Sequence, residues 1–224
     1  IMKILVSSCE YGDFYYRGHY DITYDLESAK IRMITHTDES SILSRNSMHP
    51  RLYGKINRMM EWSLYPGYDY YIWTDSRIEF ISTNSILEFV NCMSGDIGFF
   101  KHRFCSSIQE EADHIIERKD HLYISSRYNI PLIKAQVENY KSLGFNPDKQ
   151  PNHFETGLFC YSKSLVDNKN HNLMTSWFMN TMMWSANDQI SLPFSLQSLG
   201  IKPYIYEGNV LKNKWTSNNY LGYK

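Results

Sequence analysis

The sequence predicts a single α/β domain over residues 1–224, with a mainly parallel central sheet flanked by helices. Three observations lead there. Short β-branched and aromatic runs alternate with stretches of helical period along the chain, no repeat or Gly/Ser linker divides it, and 224 residues suffice for one sizeable core.

Taken in order, residues 3–8 read as the first strand and residues 30–35 as the second. Residues 50–63 read as a helix with Leu52, Ile56, Met59 and Met60 on one face and Arg51, Lys55 and Arg58 on a basic stripe beside it. Residues 70–74 form a third strand, whose pleat sends Tyr70 and Tyr71 to opposite faces, and residues 96–100 a fourth. Ser107, followed three residues later by Glu110, makes a capping box that opens a helix toward Arg118; a further helix over 132–143 stops at Gly144. Strands at 157–161 and 203–206 and helices at 172–184 and 188–199 complete the set. Residues 207–224, rich in Asn, Lys and Tyr, read as a surface tail or the start of a further domain.

Composition removes several classes of function. Lys and Arg total 23 against 24 Asp and Glu, so no global basic field draws the chain to nucleic acid or anionic lipid. No apolar run approaches the roughly 18 residues of a membrane span, and the run at 3–6 is too short for a signal peptide. The expectation is a soluble, cytoplasmic protein without a membrane span or a nucleic-acid partner, and Ile1 ahead of Met2 reads as a tag residue. Cys9, Cys92, Cys105 and Cys160 are far apart with no C-x-x-C pair, which predicts reduced thiols rather than structural zinc or disulfides. Neither G-x-G-x-x-G nor a Walker loop is present, which disfavours dinucleotide oxidoreductases and P-loop enzymes.

Open α/β sheets bind ligands at the carboxyl ends of their strands, so the residues beside those ends are the candidates. Ser7, Cys9, Tyr11 and Asp13 follow the first strand, Asp75 and Arg77 the third, and His102 and Arg103 the fourth, while His153, Glu155, Thr156 and Gly157 flank the fifth. Asp75, ending the buried run Tyr71-Ile72-Trp73, is suited to hold a divalent cation with its bound phosphates, or simply caps a strand exit. Arg51, Lys55 and Arg58 would add fixed cations for a diphosphate, although such a stripe is more often a solvated face. Asn187 or Asp188 caps the following helix, which leaves Asp188 and Gln189 directed at whatever the strand ends hold. Tyr11, Tyr15 and Tyr16 offer rings for stacking on a base or sugar.

The order of these motifs, from Arg51 and Lys55 through Ile72-Trp73-Thr74-Asp75, His102-Arg103, Glu110-Glu111-Ala112, Gln136, Tyr140 and Glu155-Thr156-Gly157 to Asn187-Asp188-Gln189-Ile190-Ser191, resembles a hexosyltransferase-like family. That family is known from plants and bacteria and has relatives in large DNA viruses of algae, which would place a viral member in the host cytoplasm. The resemblance covers about residues 51–191 and implies a GT-A-like fold, a nucleotide-diphosphate sugar donor such as a UDP-sugar, a glycan or glycoprotein acceptor, and Mn²⁺ or Mg²⁺. It puts Asp75 at the first carboxylate of an Asp-x-Asp metal motif, with Arg77 where the second would stand. It puts Ser7, Cys9, Tyr11, Asp13, Arg51, Lys55 and Arg77 at the nucleotide and phosphates, and His102, Arg103, Glu155, Thr156 and Gly157 at the donor sugar. Asp188 and Gln189 become the catalytic pair, with a retaining course favoured by analogy. A non-catalytic carbohydrate-binding module and a nucleotide-sugar hydrolase are the competing readings; the first predicts no nucleotide affinity, the second sugar release without an acceptor.

Overall fold

The computed structural model describes residues 1–11, 20–38, 40, 50–125, 127–149, 153–167 and 172–218. In chain order they form β1 (Met2–Glu10), β2 (Tyr20–Asp25), β3 (Ala29–Thr37), α1 (Pro50–Leu64), β4 (Tyr70–Thr74), β5 (Ile78–Phe80), α2 (Thr83–Asn91), β6 (Ile97–Lys101), α3 (Ile108–Glu117), α4 (Leu122–Ser125), α5 (Ile130–Ser142), β7 (Phe154–Ser162), α6 (Lys163–Asp167), α7 (Leu173–Met183), α8 (Asp188–Ser198), β8 (Tyr204–Tyr206) and β9 (Thr216–Asn218).

Seven strands make one sheet in the order β2-β3-β1-β4-β7-β6-β8. The sheet is mixed, which corrects the expectation of a mainly parallel one: β1 runs parallel to β3 and β4, and β6 to β8, but β2 against β3, and β4 and β6 against β7, are antiparallel. For β2 and β3 the cause is the short turn between Asp25 and Ala29, and for β7 it lies between β6 and β7. The chain leaves the sheet at Lys101, builds α3 to α5 off that end, and re-enters there at Phe154, with the His102 amide donating to the His153 carbonyl at 3.2 Å. A strand that re-enters at the end where its neighbour left must run the other way. The carboxyl ends of β1, β4 and β6 therefore share one edge with the start of β7, and the candidate residues gather on that edge.

Side chains alternate between two packed faces. Ile4, Val6, Ile72, Leu158 and Cys160 face Phe89 of α2 and Trp215, while Leu5, Tyr71, Trp73, Phe159 and Tyr161 face Met59 of α1, Trp177 of α7 and Leu192 of α8. Central strands are covered on both sides, which is why they read as continuous apolar runs. A third cluster joins α3, α5 and Ile190 of α8. Ser107 caps α3 as expected by accepting from the Glu110 amide at 3.2 Å, but the Glu110 carboxylate reaches Ser106 instead. The segment after Tyr206 is not simply a surface tail: Val210 and Trp215 are buried, and β9 pairs with β5. Residues 219–224 lie outside the described part.

Candidate active site

Helix α1 packs against β1, β4 and α7. Gly54 permits the approach, since a Cβ there would lie 3.2 Å from the Cys9 sulfur. The face that α1 buries is only in part the one its apolar residues suggest: Met59 is buried and Met60 packs on the same core, but Tyr53, Asn57 and Glu61 are buried too, while Leu52 and Ile56 are half-buried. Asn57 and Glu61 can be buried because they are partnered. Glu61 meets His36 at 2.8 Å and accepts from Asn57 at 3.2 Å, and Asn57 in turn accepts the Tyr11 hydroxyl at 2.6 Å. This rotation of the helix turns Lys55 and Arg58 to the sheet edge.

There Arg58 is the hub. Its guanidinium donates to Asp75 Oδ1 at 2.6 Å, to the Thr156 hydroxyl at 3.2 Å and to Asp188 Oδ2, and its carbon lies 5.0 Å from the Trp73 ring centre. Lys55 Nζ stands 2.5 Å from the other Asp188 oxygen, and Thr156 donates to Asp188 Oδ2 at 3.1 Å. Burial alone would raise the Asp188 pKa, but the Lys55 and Arg58 cations outweigh it and hold the carboxyl well below the usual range. Burial likewise works against the Arg58 charge, and Asp188 and Asp75 more than restore it. Two cations and two carboxylates thus neutralise one another.

Asp188 is held in place from beneath. Asn187 caps α8 by accepting from the Gln189 and Ile190 amides at 2.9 and 3.2 Å, and Trp177 Nε1 donates to the Asp188 carbonyl at 2.8 Å. Before the cap, Ala186 sits at φ 56°, a left-handed conformation that a residue with a Cβ rarely adopts. Gln136 of α5 accepts from Ser185 at 2.7 Å and donates to Ser191 at 3.1 Å and Tyr140 at 2.8 Å, clamping both sides of the cap.

Asp75 ends β4 and is half-buried, its amide donating to the Gly157 carbonyl at 2.7 Å. The described hydrogen bonds of its carboxylate fall on Oδ1, from Arg58 and from Trp73 Nε1 at 3.2 Å. Oδ2 lies against Gly157, where a Cβ would come within 2.9 Å. The glycine keeps room beside that oxygen.

The other expected residues divide. Arg103 pairs with the buried Glu155, whose second oxygen accepts the Val210 amide at 2.9 Å, so Glu155 ties the site to the segment after β8. Arg77 is exposed on the turn between β4 and β5. Gln189 is half-buried beside Asp188. His102 turns away from this cluster toward Glu111 and His153. Ser7 is buried within β1 and Tyr11 is built into the interior, edge-on to Tyr53, rather than offered to a base. Cys9 lies beneath α1, where burial chiefly pushes its thiol up to about 12, so it is an unreactive packing group. Asp13, Tyr15 and Tyr16 lie outside the described residues, as does the Arg51 side chain. Arg58, Trp73 and Asn187 belong to the site although the resemblance gave them no role in it; Arg58 carried a signal in its place on the basic stripe and Asn187 in its cap position.

Grooves of about 640 and 310 Å³ lie elsewhere, one beside Trp62 and Asn172 and one beside Arg32 and Tyr68, and neither is lined by Asp75 or Asp188. Among the described residues no helix is long and apolar enough to cross a membrane.

A family model described as TOD1/MUCI70, glycosyltransferase-like domain, matches residues 42–214. Among solved structures, the chain is similar to the crystal structure of mouse xyloside xylosyltransferase 1 in its apo form, with 11% identity and a TM-score of 0.39. That match covers 79% of this chain and 62% of the mouse chain, so this chain spans less than two thirds of that one. No curated protein matches the chain.

Proposed function

The chain belongs to the TOD1/MUCI70 glycosyltransferase-like family, and from that premise we propose that it transfers a sugar from a nucleotide-diphosphate donor, a UDP-sugar, to a hydroxyl of a glycan or glycoprotein at the edge where Arg58 joins Asp75 to Asp188. That Arg58-centred cluster is the observation that carries the reading.

Breaking the bond between sugar and diphosphate develops negative charge on the leaving phosphate, and cations fixed in advance stabilise it without reorganising. Lys55 and Arg58 are such cations, and the donor phosphates would draw them partly from Asp188. Arg77 stands on the adjacent turn to add to them. Because the resident charges already cancel, a diphosphate brings an excess that a Mn²⁺ or Mg²⁺ ion at Asp75 would offset. The donor set fits: such ions need only one or two protein carboxylates beside the substrate phosphates, and Asp75 offers Oδ2 on its Gly157 side. Thr156, Gly157, Arg103 and Glu155 would border the sugar, with His102 outside the set because it faces Glu111.

Asp188 and Gln189 would act at the sugar carbon. With Lys55 and Arg58 drawn partly to the phosphates, the Asp188 carboxylate would be free to stabilise positive charge developing on the sugar. The resemblance favours the retaining course. A thermal-shift panel of nucleoside diphosphates and their sugars, with and without Mn²⁺, tests the reading. UDP and UDP-sugars should raise the melting temperature, more so with the metal, and a flat response across the panel would sink it.

A further inference from the structure

We infer that His102, Glu111 and His153 form a second, buried site for a first-row divalent cation, Zn²⁺ foremost, separate from Asp75. The three residues come from different elements: His102 follows β6, Glu111 lies in α3, and His153 precedes β7. One ligand atom from each lies within 4.8 Å of the others.

Hydrogen bonding alone does not account for the cluster. The His153 side chain is fully buried, yet neither ring nitrogen has a hydrogen-bond partner. Its Nε2 is 3.6 Å from Glu111 Oε2, and His102 Nε2 is 3.9 Å from the same oxygen. Both gaps exceed a hydrogen bond, which closes at about 3.2 Å. They match ligands that share one ion, because tetrahedral bonds of about 2.1 Å place neighbouring ligand atoms roughly 3.4 Å apart. Two imidazoles with one carboxylate suit Zn²⁺ and its first-row neighbours better than Mg²⁺ or Ca²⁺, which prefer all-oxygen sites.

Binding has a structural consequence. His102 Nδ1 now accepts the Cys105 amide at 3.0 Å, which places the ring proton on Nε2. For Nε2 to ligate, that proton must leave it and Nδ1 must carry one, so the Cys105 amide is released and the 103–106 turn shifts. One neutral hydrogen bond is exchanged for a metal bond with no net proton released. Arg103, on that turn, pairs with Glu155, so an ion at this buried site would reach the edge that bears Asp75 through one residue. The inference stands whether or not the chain transfers a sugar.

The test is calorimetric titration of Zn²⁺ into chelator-treated full chain, together with the visible spectrum after Co²⁺ loading. One Zn²⁺ per chain is expected, weakened at least tenfold by Glu111→Gln and by His153→Asn and unchanged by Asp75→Asn. Wild-type protein should show the intense d–d bands of four-coordinate Co²⁺. Binding that survives both ligand substitutions, or that is lost with Asp75→Asn, overturns the inference. Should the variants fail to fold, wild type that takes up no stoichiometric metal, or shows only the weak bands of six-coordinate Co²⁺, overturns it as well.

Discussion

Arg58 of α1 and Asp188 of α8 lie 130 positions apart and form a buried, hydrogen-bonded ion pair. Neither charge is tolerable alone at such a depth, since an unpaired buried ion loses its hydration and gains nothing in exchange. Replacing Arg58 with Met leaves Asp188 with Lys55 and Thr156 alone and removes a partner of Asp75. The variant should lose about 2–3 kcal/mol in urea unfolding, and a loss under 1 kcal/mol would show that the pair is not held as described.

The same pair sets a pH dependence. Asp188 has its folded pKa depressed below the ordinary 3.8, so its contribution is fully present above that value and lost as pH falls toward the folded pKa. Wild-type stability should therefore fall more steeply below pH 3.8 than that of Asp188→Asn, while above pH 5 the two curves should run parallel. Chemical denaturation across pH 2 to 7 checks this by difference, which removes the shared contribution of other carboxylates.

Gly157→Ala would set a methyl carbon 2.9 Å from Asp75 Oδ2. The carboxylate must move or the strand must give, and the proposed cation seat moves with it. Mn²⁺-dependent donor affinity should fall about 10- to 100-fold, the range for disturbed neighbours of metal ligands, while nucleotide affinity without metal changes little. Equal losses with and without Mn²⁺ would remove Asp75 from the metal role.

Gln136 reaches Asp188 only through others. Gln136→Leu leaves Ser185, Ser191 and Tyr140 without the amide they share, and should cost about 1–3 kcal/mol. If the network positions the cap, kcat should fall while KM for the donor stays near wild type. Lost stability with unchanged kcat would mark it as packing alone.

Much of this was legible in residue order. The strands at 3–8, 30–35 and 70–74 each fall within an observed strand because central strands need apolar residues on both faces. β2 escaped notice because most of its side chains face solvent and show no alternation, and β5 and β9 are three residues long. Strand direction was not readable, since the re-entry at Phe154 depends on where α3 to α5 pack. Asp75 and Asp188 could be singled out by position at a strand end and a helix start, and Lys55 by the basic stripe of α1. Arg58 was visible on the same stripe as Lys55 but indistinguishable from a solvated cation until α1 was seen to bury Asn57 and Glu61 and turn that stripe inward. The cysteine pattern argued against structural zinc, and it has no bearing on a site made of His102, Glu111 and His153, which meet only through tertiary packing.

The most direct test of the central claim is UDP release from a UDP-sugar donor, followed in wild type and Asp188→Asn with acceptor and Mn²⁺ present. The account predicts a fall in kcat of at least about 100-fold, the scale for removing one electrostatic stabiliser of a transition state, with donor affinity retained and the fold intact by circular dichroism. Turnover by Asp188→Asn at the wild-type rate would contradict it.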